Sequence, residues 1–132
     1  MDKDDEERFF GTFQSIIESV LAEKRKNKKW ENPLKNFNAI VQFRLHISKD
    51  DFFYCHLTAK DGNYDLQLGP VDKYDLELAA TPEDLMLFTN KTYSTANMIM
   101  QKNQWGQKRL QIKKGGRNIG KLLALSKILV LE

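Results

Sequence analysis

The chain has 132 residues, of which 41% are hydrophobic and 30% are charged, and its formal net charge at pH 7 is +3. A chain of this length forms one domain that buries roughly two-thirds of its unfolded surface. The composition is typical of a globular protein and excludes an intrinsically disordered one. We therefore expect a single domain over residues 1–132, in which residues 1–8 are an acidic, flexible leader.

Cysteine content and the distribution of apolar runs predict the compartment. Cys55 is the only cysteine, so no internal disulfide can form. The first eight residues lack the apolar core of a secretion signal, and no apolar run approaches the roughly 18 residues that a membrane span needs. These features predict a cytoplasmic protein.

The charge is distributed unevenly along the chain. No Asp or Glu occurs between Asp84 and Glu132, and nine basic residues fall in that interval. They are Lys91, Lys102, Lys108, Arg109, Lys113, Lys114, Arg117, Lys121 and Lys127. Such a surface attracts phosphate, whether on an anionic membrane, on nucleic acid or on a charged ligand head.

Apolar spacing predicts a helix near the start of the chain. Its apolar residues recur at the i, i+3, i+4 spacing that forms one stripe on a helix. They are Phe9, Phe10, Phe13, Ile16, Ile17, Val20 and Leu21. Acidic residues before this segment and basic residues after it complement the two ends of a helix dipole. A break containing Pro33 follows, from Trp30 to Phe37.

Alternation of apolar and polar residues then predicts four strands. Residues 41–47 and 52–59 form a hairpin, and residues 64–68 follow the strong turn signal Asp61-Gly62. The fourth strand, residues 74–78, follows Gly69-Pro70. The simplest arrangement is an antiparallel meander with one apolar face, which requires a cover.

The rest of the chain supplies that cover. Thr81 can cap a helix that has Pro82 in its first position, and residues 93–102 form a second helix. Residues 109–113 alternate as a fifth strand that Gly115-Gly116 ends. The last helix, residues 117–131, is apolar over most of its circumference, so it must be buried against protein and against something else. We expect an α+β fold with a five-stranded, mainly antiparallel sheet covered by about four helices.

The sequence offers little support for catalysis. Cys55 falls on the apolar face of its strand, where a cysteine is usually a small buried hydrophobe. His46 and His56 share the polar face of the hairpin and can lie across from each other, but two histidines without a third ligand make a weak metal site. We therefore expect no enzymatic activity, no cofactor and no metal.

The glycine-rich segment at residues 115–120 matches neither the Rossmann nor the P-loop spacing. A tight turn followed by a helix start is the simpler interpretation, and the basic residues beside it leave a phosphate-binding role open. Basic residues interleaved with Tyr93 and Trp105 are also compatible with single-stranded nucleic acid. No ladder of exposed aromatic residues is evident, so we expect no specific nucleic-acid partner.

The order of these elements resembles the sterol carrier protein 2 (SCP2) family from about residue 37 to residue 129, together with the leading helix. Two segments carry the resemblance. They are Tyr74-Asp75-Leu76-Glu77-Leu78 leading into Thr81-Pro82-Glu83-Asp84-Leu85, and Arg109-Leu110-Gln111-Ile112-Lys113-Lys114-Gly115 leading into the helix with Leu122, Leu123 and Leu125. The chain departs from the family pattern at Asn90, where Gly often follows the capped helix, and at residues 98–105, where a Phe often precedes the last strand.

The resemblance implies an α/β sandwich whose hydrophobic tunnel, between sheet and helices, binds and transports a sterol, fatty acyl chain, acyl-CoA or phospholipid without catalysing a reaction. The hairpin would form the tunnel floor and the helices its roof, with the final helix as the gate. The floor residues are Val41, Phe43, Leu45, Phe53, Cys55 and Leu57. The roof residues are Met86, Met98, Ile99, Met100, Leu122 and Leu125, among which the methionines can adapt to variable ligands.

Basic residues around the fifth strand would contact an anionic membrane or the anionic head of the ligand. They are Lys108, Lys113, Lys114, Arg117 and Lys121. The main alternative is a protein-interaction module, in which the apolar surfaces pack against a partner or form a homodimer and leave no cavity. An RNA-binding domain is a weaker alternative because it rests on the basic interval alone.

Overall fold

The computed structural model describes residues 2–130; Leu131, which the sequence analysis placed in the last helix, and Glu132 lie outside the described residues. The helices are α1 (Lys3–Arg25), α2 (Glu31–Asn36), α3 (Pro82–Thr89), α4 (Thr95–Met100) and α5 (Ile119–Leu129), with 3₁₀ turns at Lys28–Trp30 and Gly116–Asn118. The strands are β1 (Ala39–His46), β2 (Phe52–Lys60), β3 (Asn63–Leu68), β4 (Leu76–Ala80) and β5 (Leu110–Lys114). Within residues 2–130, none of the helices combines the length and apolar character needed to cross a bilayer.

The five strands form one sheet in the order β3-β2-β1-β4-β5. Three of the four strand pairs are antiparallel, which confirms the predicted α+β class and the mainly antiparallel sheet. The predicted meander is wrong at the fourth strand, because β4 pairs in parallel with β1, with Val41 beside Leu76 and Phe43 beside Leu78. The central strands of the sheet are therefore β1 and its two neighbours.

A crossover segment, residues 69–75, makes the parallel pairing possible. A hairpin turn would have left β4 beside β3, whereas this segment passes over the polar face of the sheet. The Gly69 amide donates to the Tyr54 carbonyl of β2 at 2.8 Å, and the Asp75 amide donates to the Ile40 carbonyl of β1 at 2.8 Å. The segment thus crosses two strands before β4 begins.

A buried carboxylate joins the crossover to the two central strands. Glu77 is only 4% exposed. Its Oε1 accepts a hydrogen bond from Gln42 Nε2 at 2.6 Å, and its Oε2 pairs with Arg44 Nη2 at 3.3 Å. The other amide atom of Gln42, Oε1, accepts from the Val71 amide at 2.8 Å. Buried charges are tolerated when they are paired in this way, so the cluster fixes β1, β4 and the crossover together.

The apolar face of the sheet carries the core beneath α1, α3, α4 and α5. Phe13 of α1 lies edge-on to Phe43 of β1, with ring centroids 5.4 Å apart. The helix α1 starts earlier than predicted, since the Asp2 side chain caps it by accepting from the Asp5 amide at 2.9 Å. Residues 3–8 consequently form the first turns of α1, and the flexibility expected of residues 1–8 stays a prediction.

The short helix α2 was not predicted, because Pro33 was taken as a helix breaker. Proline is tolerated in the first turn, where its missing N–H has no intrahelical partner, and Pro33 occupies that turn. Leu34 is buried, and its carbonyl accepts a hydrogen bond from the Tyr64 hydroxyl at 2.8 Å. The helix therefore connects α1 to the edge of the sheet.

We expect Glu77→Ala to destabilise the protein by about 1–3 kcal/mol, because it removes the acceptor for a buried donor on Gln42 and for a partly buried donor on Arg44. Urea unfolding followed by circular dichroism measures the change. Asp65→Ala is the matched control, since Asp65 is an exposed carboxylate of β3. Equal stabilities for the two variants would contradict the role given to Glu77.

We expect Gly115→Ala to be more damaging than Gly106→Ala, although both glycines have left-handed backbones, with φ of +84° and +77°. A Cβ at residue 115 would overlap the Asp75 carbonyl oxygen, whereas a Cβ at residue 106 meets no atom within 4 Å. The overlap should add about 1–3 kcal/mol to the backbone cost shared by both variants. Denaturant unfolding measures the difference, and equal losses would show that the contact is easily relieved.

Candidate functional site

Most of the residues predicted to line a tunnel form a packed core. Nine of the twelve are no more than 2% exposed and belong to one cluster of buried side chains. They are Val41, Phe43, Leu45, Phe53, Cys55, Leu57, Met98, Leu122 and Leu125. The structure brings these residues together, and their contact with a ligand stays a prediction.

The other three predicted roof residues lie outside that core. Met86 is 43% exposed and Met100 is 76% exposed, while Ile99 is partly buried at its edge. The expectation that Met86 and Met100 face the sheet is therefore corrected. The inward positions of α3 and α4 are taken instead by Leu85, Phe88 and Met98.

Cys55 is fully buried, which confirms the prediction that it is a core residue. The burial raises the pKa of its thiol far above the ordinary value. The two histidines do not face each other, because His46 lies opposite Phe52 and His56 opposite Gln42. Their Nδ1 atoms lie 3.3 Å and 2.9 Å from backbone carbonyl oxygens. Residues 2–130 contain no group of three His, Cys, Asp or Glu side chains placed to hold a metal ion.

A groove of about 430 Å³ opens between the outer side of α5 and the segment that joins α3 to α4. Its apolar lining consists of Trp30, Phe88, Tyr93, Leu123 and Val130. The polar lining consists of Lys91, Ser94, Thr95, Ser126 and Lys127. None of these ten residues was among the predicted lipid contacts.

The helix α5 supplies one wall because it has two apolar sides. Leu122, Leu125, Ile128 and Leu129 are buried on the side that joins the core. Leu123 faces the groove and is 50% exposed, as the all-round apolar pattern of this helix suggested. That pattern was the one sequence signal that pointed toward the groove.

A lysine from α1 fixes the end of this wall. Lys24 is 4% exposed, and its Nζ donates to the Lys127 carbonyl at 3.2 Å. The last carbonyls of a helix have no intrahelical donor, so this bond satisfies one of them. The same Nζ lies 3.6 Å from the centroid of the Trp30 ring, a cation–π contact that positions Trp30 in the groove.

Arg109, the residue before β5, holds the opposite wall of the groove, which is the segment between α3 and α4. Its Nη1 pairs with Asp84 Oδ1 at 2.6 Å, and its guanidinium lies 4.5 Å from the centroid of the Tyr93 ring. Thr81 caps α3 as predicted, with its hydroxyl oxygen accepting from the Asp84 amide at 3.0 Å. A capping box formed by Ser94 and Asn97 starts α4 directly after Tyr93. The segment between the two helices is thus tied down at both ends.

The basic residues predicted to meet an anionic head lie away from this groove. Lys108, Lys113, Lys114 and Arg117 are exposed, and Lys121 is partly buried. Lys114 and Arg117 line a second, more polar depression of about 610 Å³ that also contains Asp72 and Asp75. Lys121 Nζ lies 3.4 Å from Asp75 Oδ1. Carboxylates therefore offset part of the positive charge there.

The model of the SCP-2 sterol transfer family matches residues 17–129, which is most of the chain. The chain belongs to this family. No curated protein gives a significant match to the sequence. The sequence-based resemblance is thereby confirmed, and the matched residues include the sheet, the helical cover and the C-terminal part of α1.

Solved structures share the fold of this SCP-2 family member at low sequence identity. The sterol carrier protein domain 2 of Helicoverpa armigera is 14% identical, with a TM-score of 0.66 over 92% of this chain and 91% of that one. The apo form of sterol carrier protein 2 from Yarrowia lipolytica is 21% identical, with a TM-score of 0.59 over 87% and 84%. The ubiquinone synthesis protein UbiJ-SCP2 is 11% identical, with a TM-score of 0.60 over 89% and 94%.

Burial of His46 on the polar face of the sheet predicts a pH dependence of folding. Desolvation, aided by the charges of Arg44 and Lys113, holds the pKa of His46 below its ordinary value of 6.5. Its stabilising contribution is therefore complete above 6.5 and is lost as the pH falls through the lower folded-state pKa. We expect wild-type protein to lose stability relative to His46→Phe between pH 7 and pH 5, measured by urea unfolding. Parallel curves for the two proteins would contradict this expectation.

Proposed function

We propose that this SCP-2 family protein binds a lipid without catalysing a reaction, and that the apolar part of the lipid lies in the groove along α5. One observation carries the proposal: an apolar groove lined by the half-exposed side chain of Leu123. Its volume of about 430 Å³ falls within the range of about 300–1,000 Å³ for small-molecule sites.

The hydrophobic effect supplies the affinity in this proposal. Each methylene group that leaves water contributes about 0.8 kcal/mol, from which the costs of ordering and association are subtracted. A ligand in the groove also covers Leu123 and the exposed parts of Trp30 and Tyr93. The names of the Helicoverpa and Yarrowia relatives, both sterol carriers, support binding of this class of ligand.

The predicted tunnel beneath the helices is a deeper position for the same ligand. Its residues are in mutual contact, so a lipid reaching Phe43 or Leu125 has to separate α5 from the sheet. The bond from Lys24 to the last turn of α5 opposes that movement. We therefore propose the groove as the binding position and α5 as the gate to the core.

The predictions of peripheral contact with an anionic membrane through the basic residues and of a cytoplasmic location remain proposals. The same holds for the absence of enzymatic activity. The alternative of a homodimer is favoured by one observation, the exposure of Ile119 and Leu123 on the same side of α5. A dimer would cover these side chains without any ligand, so the experiment below has to separate the two cases.

We expect Leu123→Asp to weaken binding of a fluorescent long-chain fatty acid at least tenfold, because it places a charge against the apolar chain. Met100→Asp is the matched control, since Met100 is also exposed but lies outside the groove. Titration followed by fluorescence measures both affinities, and thermal unfolding verifies that both variants fold. Equal affinities for the two variants would contradict the groove as the site.

Native mass spectrometry of the wild-type protein distinguishes carrier from dimer. The proposal predicts a monomer that acquires the mass of one lipid. A ligand-free dimer that Leu123→Asp converts to monomer, without measurable fatty-acid binding by either form, would support the interaction module and overturn the proposal.

A further inference from the structure

Two lysines, Lys91 and Lys127, line the groove, and an apolar ligand chain gives no reason for their presence there. Lys91 follows the end of α3 and Lys127 lies in the last turn of α5, so they come from opposite walls. Both side chains are exposed. Neither ammonium makes a hydrogen bond or an ion pair within residues 2–130.

The backbone at Lys91 is unfavourable for a residue with a side chain. Its φ is +71°, in the left-handed region, just beyond the end of a helix where glycine is usually found. The conformation is secured by hydrogen bonds from the Lys91 amide to the Phe88 carbonyl and from the Thr92 amide to Asn90 Oδ1. Non-glycine residues held in this region are concentrated at functional sites. Glycine would relieve the strain but would remove the cation from the groove.

The charged residues that line the groove are all positive. Its lining contains two lysines and no carboxylate, whereas the depression around Lys114 combines basic residues with Asp72 and Asp75. The sequence from residue 85 to residue 130 contains no acidic side chain at all. An anion is therefore the complementary partner for the two ammonium groups, and it would be held at the rim of an apolar site.

We infer that Lys91 and Lys127 determine head-group specificity, so that the groove takes a single-chain lipid with a carboxylate head in preference to a neutral lipid. This inference rests on the proposed function, because it specifies which lipid the groove selects. A single chain suits a groove of about 430 Å³. A carboxylate is a compact anionic head that complements the positive charge of the two ammonium groups.

Oleate and oleyl alcohol test the inference because they share a chain and differ in head group. We expect displacement of a fluorescent fatty acid to give at least tenfold tighter binding of oleate to wild-type protein in low salt. Lys91→Gln combined with Lys127→Gln should weaken oleate at least tenfold and leave oleyl alcohol unchanged. Lys49→Gln combined with Lys60→Gln is the matched control, because it removes the same charge at exposed positions outside the groove.

The possible outcomes separate the head-group inference from the proposed function. Equal binding of oleate and oleyl alcohol by wild-type protein, or an unchanged oleate affinity in the groove variant, would overturn the head-group inference while leaving lipid binding intact. Binding of neither lipid would overturn the proposed function itself. Binding of oleoyl lysophosphatidic acid without binding of oleate would show that the lysines select phosphate and would contradict the carboxylate assignment.

A single substitution adds a readout that a merely structural role would not give. Lys91→Gly should raise the melting temperature, since glycine adopts this backbone without strain, and should weaken oleate binding. A variant that is more stable and binds oleate as tightly as the wild type would overturn the role of Lys91. A lower melting temperature would contradict the strain on which its functional role is argued.

Discussion

The parallel pairing of β1 with β4 is the constraint on which the rest of the architecture depends. Because the chain reaches β4 by crossing the polar face, both faces of the central strands are covered, and all five residues of β4 are buried. The pairing requires a polar partner for the crossover, and Gln42 supplies it through the Val71 amide while binding Glu77 with its other amide atom. One side chain thereby stabilises both the strand pair and the segment that makes the pair possible.

This arrangement also determines where the groove forms. The helix α3 begins two residues after β4 ends, so a central β4 delivers α3 directly over the apolar face. The ion pair between Arg109 and Asp84 joins the first turn of α3 to the start of β5. The helix α5 is the last element in the chain. One side of α5 completes the core, while the other forms a wall of the groove, across from the segment between α3 and α4. The groove is the space that remains beside a helix with more apolar surface than the core can cover.

Local patterns in the sequence predict the elements well. The period-two alternation locates all five strands, and the Thr81 cap with Pro82 behind it marks the start of α3 to the residue. The buried positions are likewise predictable, since a residue such as Phe43 alternates with polar neighbours in any arrangement of the sheet. The pairing was not predicted, because the alternation of Leu76 and Leu78 with Asp75 and Glu77 is compatible with β4 beside β3 and with β4 beside β1.

The groove was harder to predict because its lining comes from separate parts of the chain. Trp30, Phe88 and Leu123 are brought together only by the tertiary fold, and no helical or strand periodicity in the sequence relates them. The lysines present a further difficulty. Lys91 and Lys127 both lie at the C-terminal end of a helix, where a cation is favourable by about 0.3–1 kcal/mol without any ligand. What distinguishes Lys91 is its left-handed backbone, which no residue pattern in the sequence indicates.

The two sides of α5 place opposing demands on the same helix. Apolar side chains that face water are unfavourably placed, and Ile119 and Leu123 of the outer side are 46% and 50% exposed. Burying this side permanently would require more core than the sheet offers, while making it polar would remove the apolar wall of the groove. A helix with one buried side and one exposed apolar side is what the proposed function requires, because the exposed side is then available to the ligand.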